Sequence, residues 1–239
     1  ADHLANRPFQ AGDKAQRRAA MIRALQAQSE RTQPPLIALM QAYGGARIRS
    51  LWAIHAIAAE LPAAAIEAFA RRPGVARIRL DADVPAPGVV TAEAGATEWN
   101  LDMVRAPELW ALGYDGAGMV VASMDTGVDA AHPDLASRYR GGANSWYDPN
   151  GQHAAPYDRS GHGTQTMGLM VGGSADGTAI GMAPGAQWIA VKIFDDAGQA
   201  RLSNIHLGFQ WLLDPDGNPA SDDAPHVVNN SWGLNGPDQ

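Results

Sequence analysis

The chain contains no cysteine among its 239 residues, which excludes a disulfide framework, thiolate metal sites and a cysteine nucleophile together. It also lacks any apolar run approaching the ~18 residues of a membrane helix, so no membrane span is expected. No basic segment followed by an apolar stretch opens the chain at Ala1, and an export signal is expected to be absent from it. Basic residues are scarce, 18 Lys+Arg against 25 Asp+Glu, for a net charge of −7. The deficit is uneven. Residues 1–88 carry 12 basic and 7 acidic side chains (+5), and residues 89–239 carry 6 and 18 (−12). A nucleic-acid binder gathers basic residues around its binding surface, and the longer region does the reverse, so no nucleic-acid partner is expected. The opposite signs suit docking of the first region on the second.

What is present is globular: 46% apolar and 18% charged residues, with 26 Gly and 16 Pro. A chain of this length buries roughly 70% of its unfolded surface. Residues 14–31 (KAQRRAAMIRALQAQSER) place Ala19, Ile22 and Leu25 at near-helical spacing, which predicts a helix. Pro34 and Pro35 stop it and open a second, ended by Gly44 and Gly45. Residues 46–61 alternate as half-buried strands do, Pro62 opens a helix through Arg71, and Val75–Leu80 (VARIRL) alternates again as a strand. Together these make a small α+β module over residues 1–81. Residues 82–98 (ADVPAPGVVTAEAGATE) are rich in Ala, Pro and Gly without apolar period, a linker composition. Beyond it, apolar runs at 119–124, 188–194 and 227–229 alternate with helical stretches at about 162–171 and 203–213. This alternation predicts an α/β domain from residue 99, a parallel sheet whose active groups stand at the strands' carboxyl ends.

Asp125 follows the run VVASM and precedes Thr126-Gly127, at such a strand end. A strand-end Asp making a turn has the same pattern. Asp-Thr-Gly also occurs in aspartic proteases, which need two carboxylates sharing a proton, and the chain holds one such tripeptide. Downstream, His162 stands between glycines in Ser160-Gly161-His162-Gly163-Thr164, ahead of a helical stretch. Flanking glycines let backbone approach the imidazole closely. An Asp that accepts a hydrogen bond from imidazole fixes its tautomer, so that the other ring nitrogen takes a proton from a hydroxyl.

Four segments in order, MVVASMDTGVDAAHPDL (119–135), SGHGTQTMG (160–168), GMAPGAQWIAVKIF (181–194) and VVNNSWG (227–233), resemble successive blocks of the subtilisin-like serine proteases, the last in the form of the bacillopeptidase F group. The resemblance covers about residues 97–239 and implies a secreted serine endopeptidase with a subtilisin-like α/β catalytic domain, here its N-terminal part. It makes Asp125 the orienting acid and His162 the base. Gly198, Gln199 and Ala200 resemble an edge that pairs with an extended polypeptide substrate, and Ser231, Trp232 and Gly233 the opposite wall. Leu202 would border a distant apolar subsite. Trp232 stands where the family has a smaller residue, which reshapes the primary pocket unless the indole belongs to the core. The chemistry needs no cofactor. Asp134 matches a carboxylate ligand of the structural calcium common in the family, with Asp176 able to add oxygen, although Gly95 and Ala175 stand where side-chain amides are expected.

Residues 1–81, chiefly Leu51–Asp81, resemble the family's inhibitory propeptide. This implies a ferredoxin-like α+β module of a zymogen, docked intramolecularly with its tail in the substrate cleft until self-cleavage within 82–98. The block carrying the nucleophilic serine and the oxyanion-hole Asn is not among the 239 residues. Of the ten serines, Ser231 lacks the Gly-bounded helix start of a nucleophile block. The chain therefore reads as the front part of a longer protease, inactive alone. The alternatives are a non-catalytic degenerate protease or propeptide-type inhibitor, and a dimeric aspartic protease.

Overall fold

The structure, a computed structural model, describes residues 11–89 and 99–233, with side chains from Lys14. The linker residues 90–98, including Gly95, lie outside the described residues. The chain divides into two compact units: one reaches to Asp81 and includes Asp216–Asp223, and the other comprises Ala82–Pro215 and the chain from Ala224.

In the first unit, α1 (Ala11–Thr32) and α2 (Pro34–Ala42) precede a hairpin of β1 (Ala46–Leu51) and β2 (Ala56–Glu60), followed by α3 (Ala63–Ala70). The hairpin is antiparallel, with Leu51 opposite Ala56. A short 3₁₀ turn, Trp52–Ile54, joins its strands, and His55 turns the chain with φ 53°. Ile22, Leu51, Ala65 and Phe69 are buried, and Tyr43 packs edge-on to Phe69. Val75–Leu80, read from its alternation as a strand, forms no strand among the described residues, whose sheet in this unit has two strands. Alternation specifies a strand only where one face meets a core; here Ile78 is 43% and Leu80 85% exposed.

The second unit is an α/β structure. After β3 (Asp83–Pro85) come α4 (Trp99–Met103), α5 (Ala106–Ala111), β4 (Val120–Asp125), β5 (Trp146–Tyr147), α6 (His162–Val171), β6 (Gln187–Lys192), β7 (Gln199–Arg201), α7 (Leu202–Leu213) and β8 (Val227–Asn229). A parallel sheet runs in the order β5-β6-β4-β8. The side-chain period of two sends Ala122, Met124, Ile189 and Val191 to one face, where Ile205 and Leu212 of α7 cover them. Val121, Trp188 and Ala190 face the other way, onto Met167 and Val171 of α6. With both faces covered the strands read as continuous apolar runs. Gly208 lets α7 lie close, since a Cβ there would stand 2.8 Å from Met124 Cε.

Strands β6 and β8 lie on opposite sides of β4, so the winding changes direction there. The crevice at such a change is where doubly wound sheets bind ligands, at the strands' carboxyl ends. Asp125 is the last residue of β4. Among the described strands β8 pairs with β4 alone, and Val227 is 59% exposed. The linker is not featureless: β3 forms an antiparallel two-stranded sheet with β7, Val84 opposite Ala200. Three residues including a proline carry too little pattern to announce a strand, and the partner edge supplies the order instead.

Ile189 is fully buried at the centre of the sheet. Ile189→Ala should cost about 2–5 kcal/mol of unfolding free energy, through lost burial plus a residual cavity. Urea titration followed by tryptophan fluorescence measures it, and a loss below ~1 kcal/mol would show that this core collapses around the gap.

Candidate active site

Two glycines bring the end of β4 and the start of α6 together. Gly127 adopts φ 118°, and a Cβ there would lie 1.9 Å from Tyr157 O. A Cβ on Gly163 would lie 2.0 Å from Gly127 O and 3.1 Å from Asp125 Cβ. Gly161, the residue before α6, takes φ 85°, a conformation glycine adopts without steric cost. With no side chain in the way, His162 enters as the first residue of the helix beside Asp125. Its Nδ1 lies 2.7 Å from Asp125 Oδ1. The carboxylate places the ring proton on Nδ1, leaving Nε2 as the basic nitrogen.

Asp125 is 1% exposed. Burial pushes its pKa up, against the opposing pull of the hydrogen bonds from His162 and the Thr126 N–H, and nearby Asp158 adds to the rise. Oδ1 accepts the Thr126 N–H at 2.7 Å as well as the imidazole. Oδ2 is buried with no hydrogen-bond partner among the described residues. The imidazole is the chief group acting against the effect of burial on this carboxylate, as expected between an orienting acid and its base.

Two further charges support the turn after Asp125. Lys192, opposite Asp125 in the β4–β6 register, is buried, and its Nζ donates to Thr126 O and Phe194 O, both at 2.9 Å. It also pairs with Asp196 Oδ1 at 3.2 Å. Burial alone would raise the Asp196 pKa, but hydrogen bonds from His153 and Lys192 outweigh it and hold the carboxyl low. Asp158 approaches from the other side, its Oδ1 accepting from Thr126 Oγ1 at 2.9 Å. Sequence reasoning assigned neither Lys192 nor Asp158 a role. The only signal was position: Asp158 four residues before His162, Lys192 at a strand end.

The residues expected along a substrate edge are brought together in part. Gly198 O accepts the Ala86 N–H at 2.8 Å, Gln199 and Ala200 pair with Pro85 and Val84, and the Leu202 N–H donates to Ala82 O at 3.1 Å. Val84 is 2% exposed and packs in one cluster with Ala200, Leu202 and Trp232. A cavity of about 260 Å³ beside Ala86 is lined by Thr126, Arg159, Lys192, Asp195 and Gly198. Of the opposite wall, Ser231 Oγ accepts from Asn229 Nδ2 at 2.9 Å and Gly233 is exposed. β3 pairs with β7 alone among the described strands. Trp232 is tied to the core: its indole N–H donates to Met124 O at 2.7 Å and its ring meets Phe194 edge-on.

The two carboxylates considered for calcium each serve a loop backbone. Asp134 Oδ1 accepts the Ala175 N–H at 2.6 Å, and Asp176 Oδ1 accepts the Thr178 N–H at 2.8 Å. Neither belongs to a cluster of three His, Cys, Asp or Glu side chains able to share an ion among the described residues. A calcium ion needs about six oxygens or more, backbone carbonyls among them.

A profile of the subtilase family matches residues 116–239, just over half of the chain and all of the segment that carries this pair. The chain belongs to the subtilase family. This subtilase chain is 49% identical over 150 residues to bacillopeptidase F of Bacillus subtilis (strain 168), a match covering 57% of the chain and 10% of that protein. It is 32% identical over 161 residues to subtilisin E of the same strain, covering 67% of the chain and 39% of that protein. With an alkaline protease of Alkalihalobacillus alcalophilus it shares 31% identity over 184 residues, 77% of the chain and 43% of the relative. The subtilase chain thus spans less than half the length of these relatives. No helix among its described residues is long and apolar enough to cross a membrane.

Two outcomes follow from the geometry. Gly163→Ala should separate Asp125 from His162 and destabilise the fold by more than about 2 kcal/mol, because backbone rather than a flexible side chain must yield; crystallography of the variant or chemical denaturation reads both. The second concerns pH. Asp125 has a raised pKa in the fold, so its contribution to stability is full below the unfolded carboxylate value and is lost as pH rises through the folded one. Asp125→Asn should therefore gain stability relative to the parent as pH increases through that window. Denaturation from about pH 3 to 8 tests this, and parallel profiles would contradict it.

Proposed function

We propose that the chain comprises the propeptide-like module and the N-terminal part of the catalytic domain of a serine endopeptidase. In this reading His162 Nε2 takes the proton of a serine hydroxyl and later returns it to the leaving amine. Asp125 holds the ring and stabilises the imidazolium, and the products leave by acyl transfer to water. The observation that carries the proposal is the 2.7 Å contact between His162 Nδ1 and Asp125 Oδ1 at the crevice of the sheet. The aspartic-protease alternative needs a second carboxylate where the imidazole stands. Serine and oxyanion-hole Asn would come from a Gly-Thr-Ser-type block outside these 239 residues. The chain alone is accordingly inactive.

Substrate would lie on β7 as β3 does, an extended polypeptide held by main-chain hydrogen bonds, with Gly198, Gln199, Ala200 and Leu202 on one side and Ser231, Trp232 and Gly233 on the other. The β3–β7 pairing supports the view that residues 1–81 form the inhibitory propeptide of a zymogen, ferredoxin-like in kind, whose tail occupies this edge until cleavage within 82–98. The protein would act outside the cell. Asp134 serves as a loop anchor; any calcium bound there would lend stability, and the chemistry requires none.

In a protein extended through the serine block, His162→Ala should lower kcat by about 10⁴-fold or more, and a fluorophosphonate should label one serine and abolish peptide hydrolysis. Labelling without loss of activity, or full activity in the His162 variant, would overturn the assignment.

A further inference from the structure

Asp158 stands between the two segments that carry Asp125 and His162, and the reaction as proposed gives it no part. Its Oδ1 accepts from Thr126 Oγ1 at 2.9 Å and from the N–H groups of Ser160 and Gly161, both at 3.0 Å. Its Oδ2 accepts from the Thr164 N–H at 2.9 Å and from Thr164 Oγ1 at 2.7 Å. Thr126 Oγ1 already accepts the Gly163 N–H at 2.9 Å, and Thr164 Oγ1 accepts the Asp129 N–H at 2.9 Å. Each hydroxyl thus stands between a backbone N–H and the Asp158 carboxylate. Five donors thus converge on the two oxygens of one side chain.

A helix cap would account for only some of these bonds. Gly161 precedes α6 without a capping side chain, and Asp158 fills that role through the Ser160, Gly161 and Thr164 N–H groups. The bond from Thr126 is different. It reaches the residue after Asp125, and the same hydroxyl then grips Gly163, the residue after His162. One carboxylate thus ties the carrier of the acid to both neighbours of the base, across a gap where no side chain fits at Gly163.

We propose that Asp158 is a positioning residue, which sets His162 against Asp125 by bridging the turn after β4 to the first turn of α6. The proposal deepens the serine-endopeptidase reading and rests on it for its catalytic consequence. The geometric consequence stands alone. Asp158 also lies close enough that its charge adds to the raised pKa of Asp125.

The test uses Asp158→Asn, which keeps the volume but turns an NH₂ group toward one set of donors. In the chain itself, proton NMR should show a far-downfield resonance for the His162 Nδ1–H, assigned by its loss in His162→Ala. Asp158→Asn should move that resonance upfield or broaden it by solvent exchange, with circular dichroism unchanged. In the protein extended through the serine block, the same variant should lower kcat by about 10²-fold, with KM changed less than about twofold. An unmoved resonance with kcat within twofold of the parent would overturn the proposal. A moved resonance in a protein that never hydrolyses peptides would uphold the positioning role and remove the endopeptidase reading instead. Should Asp158→Asn fail to fold, Thr164→Val and Thr164→Ser decide: the serine variant should retain the resonance and the valine variant should shift it, and identical spectra would count against the bridge.

Discussion

At Gly163 the first turn of α6 lies so near the turn following β4 that a methyl group would meet Gly127 O at 2.0 Å. That backbone contact lets a side chain at the start of a helix reach a side chain at the end of a strand without either leaving its element. Helix position is fixed by Met167 and Val171 against Val121 and Trp188, strand position by the β6 and β8 ladders. The Asp125–His162 pair is thus carried by elements that the core holds in place, with the loop before α6 bridging them. Its precision comes from rigid elements.

The electrostatics follow from the same burial. A carboxylate taken out of water is unfavourable unless its charge is answered, and Asp125 is answered at one oxygen only, by an imidazole and a backbone N–H. Around it the surroundings are braced by groups whose own charges are satisfied locally: Lys192 by two carbonyls and Asp196, Asp158 by hydroxyls and amides. Buried charge here organises backbone. It is spent on turns, which hydrophobic packing alone holds poorly.

The sequence made much of this legible, and the parts it hid have physical reasons. The strands ending at Asp125 and Lys192 and helices α6 and α7 showed themselves because long apolar runs and a helical period survive without knowledge of partners. Asp125 and His162 showed themselves through their glycine-flanked settings. What stayed hidden depended on a partner. β3, β5 and β7 are two or three residues each, too short to carry a period, and Val75–Leu80 has the period but no strand partner among the described residues. Asp158 looked like any loop aspartate, since five donors converging on it are a property of the fold. Trp232 invited a pocket role by position, while its N–H points to Met124 O inside the core.

The pairing of β3 with β7 has a kinetic corollary. Asp83–Pro85 belong to the same polypeptide as the edge they cover, so their encounter is unimolecular, governed by a local concentration on the order of millimolar for a short tether. Any free peptide seeking that edge at micromolar levels competes from a thousandfold disadvantage, whatever its side chains. Once the tether is severed that advantage vanishes, and occupancy of the edge is set by concentration and intrinsic affinity alone.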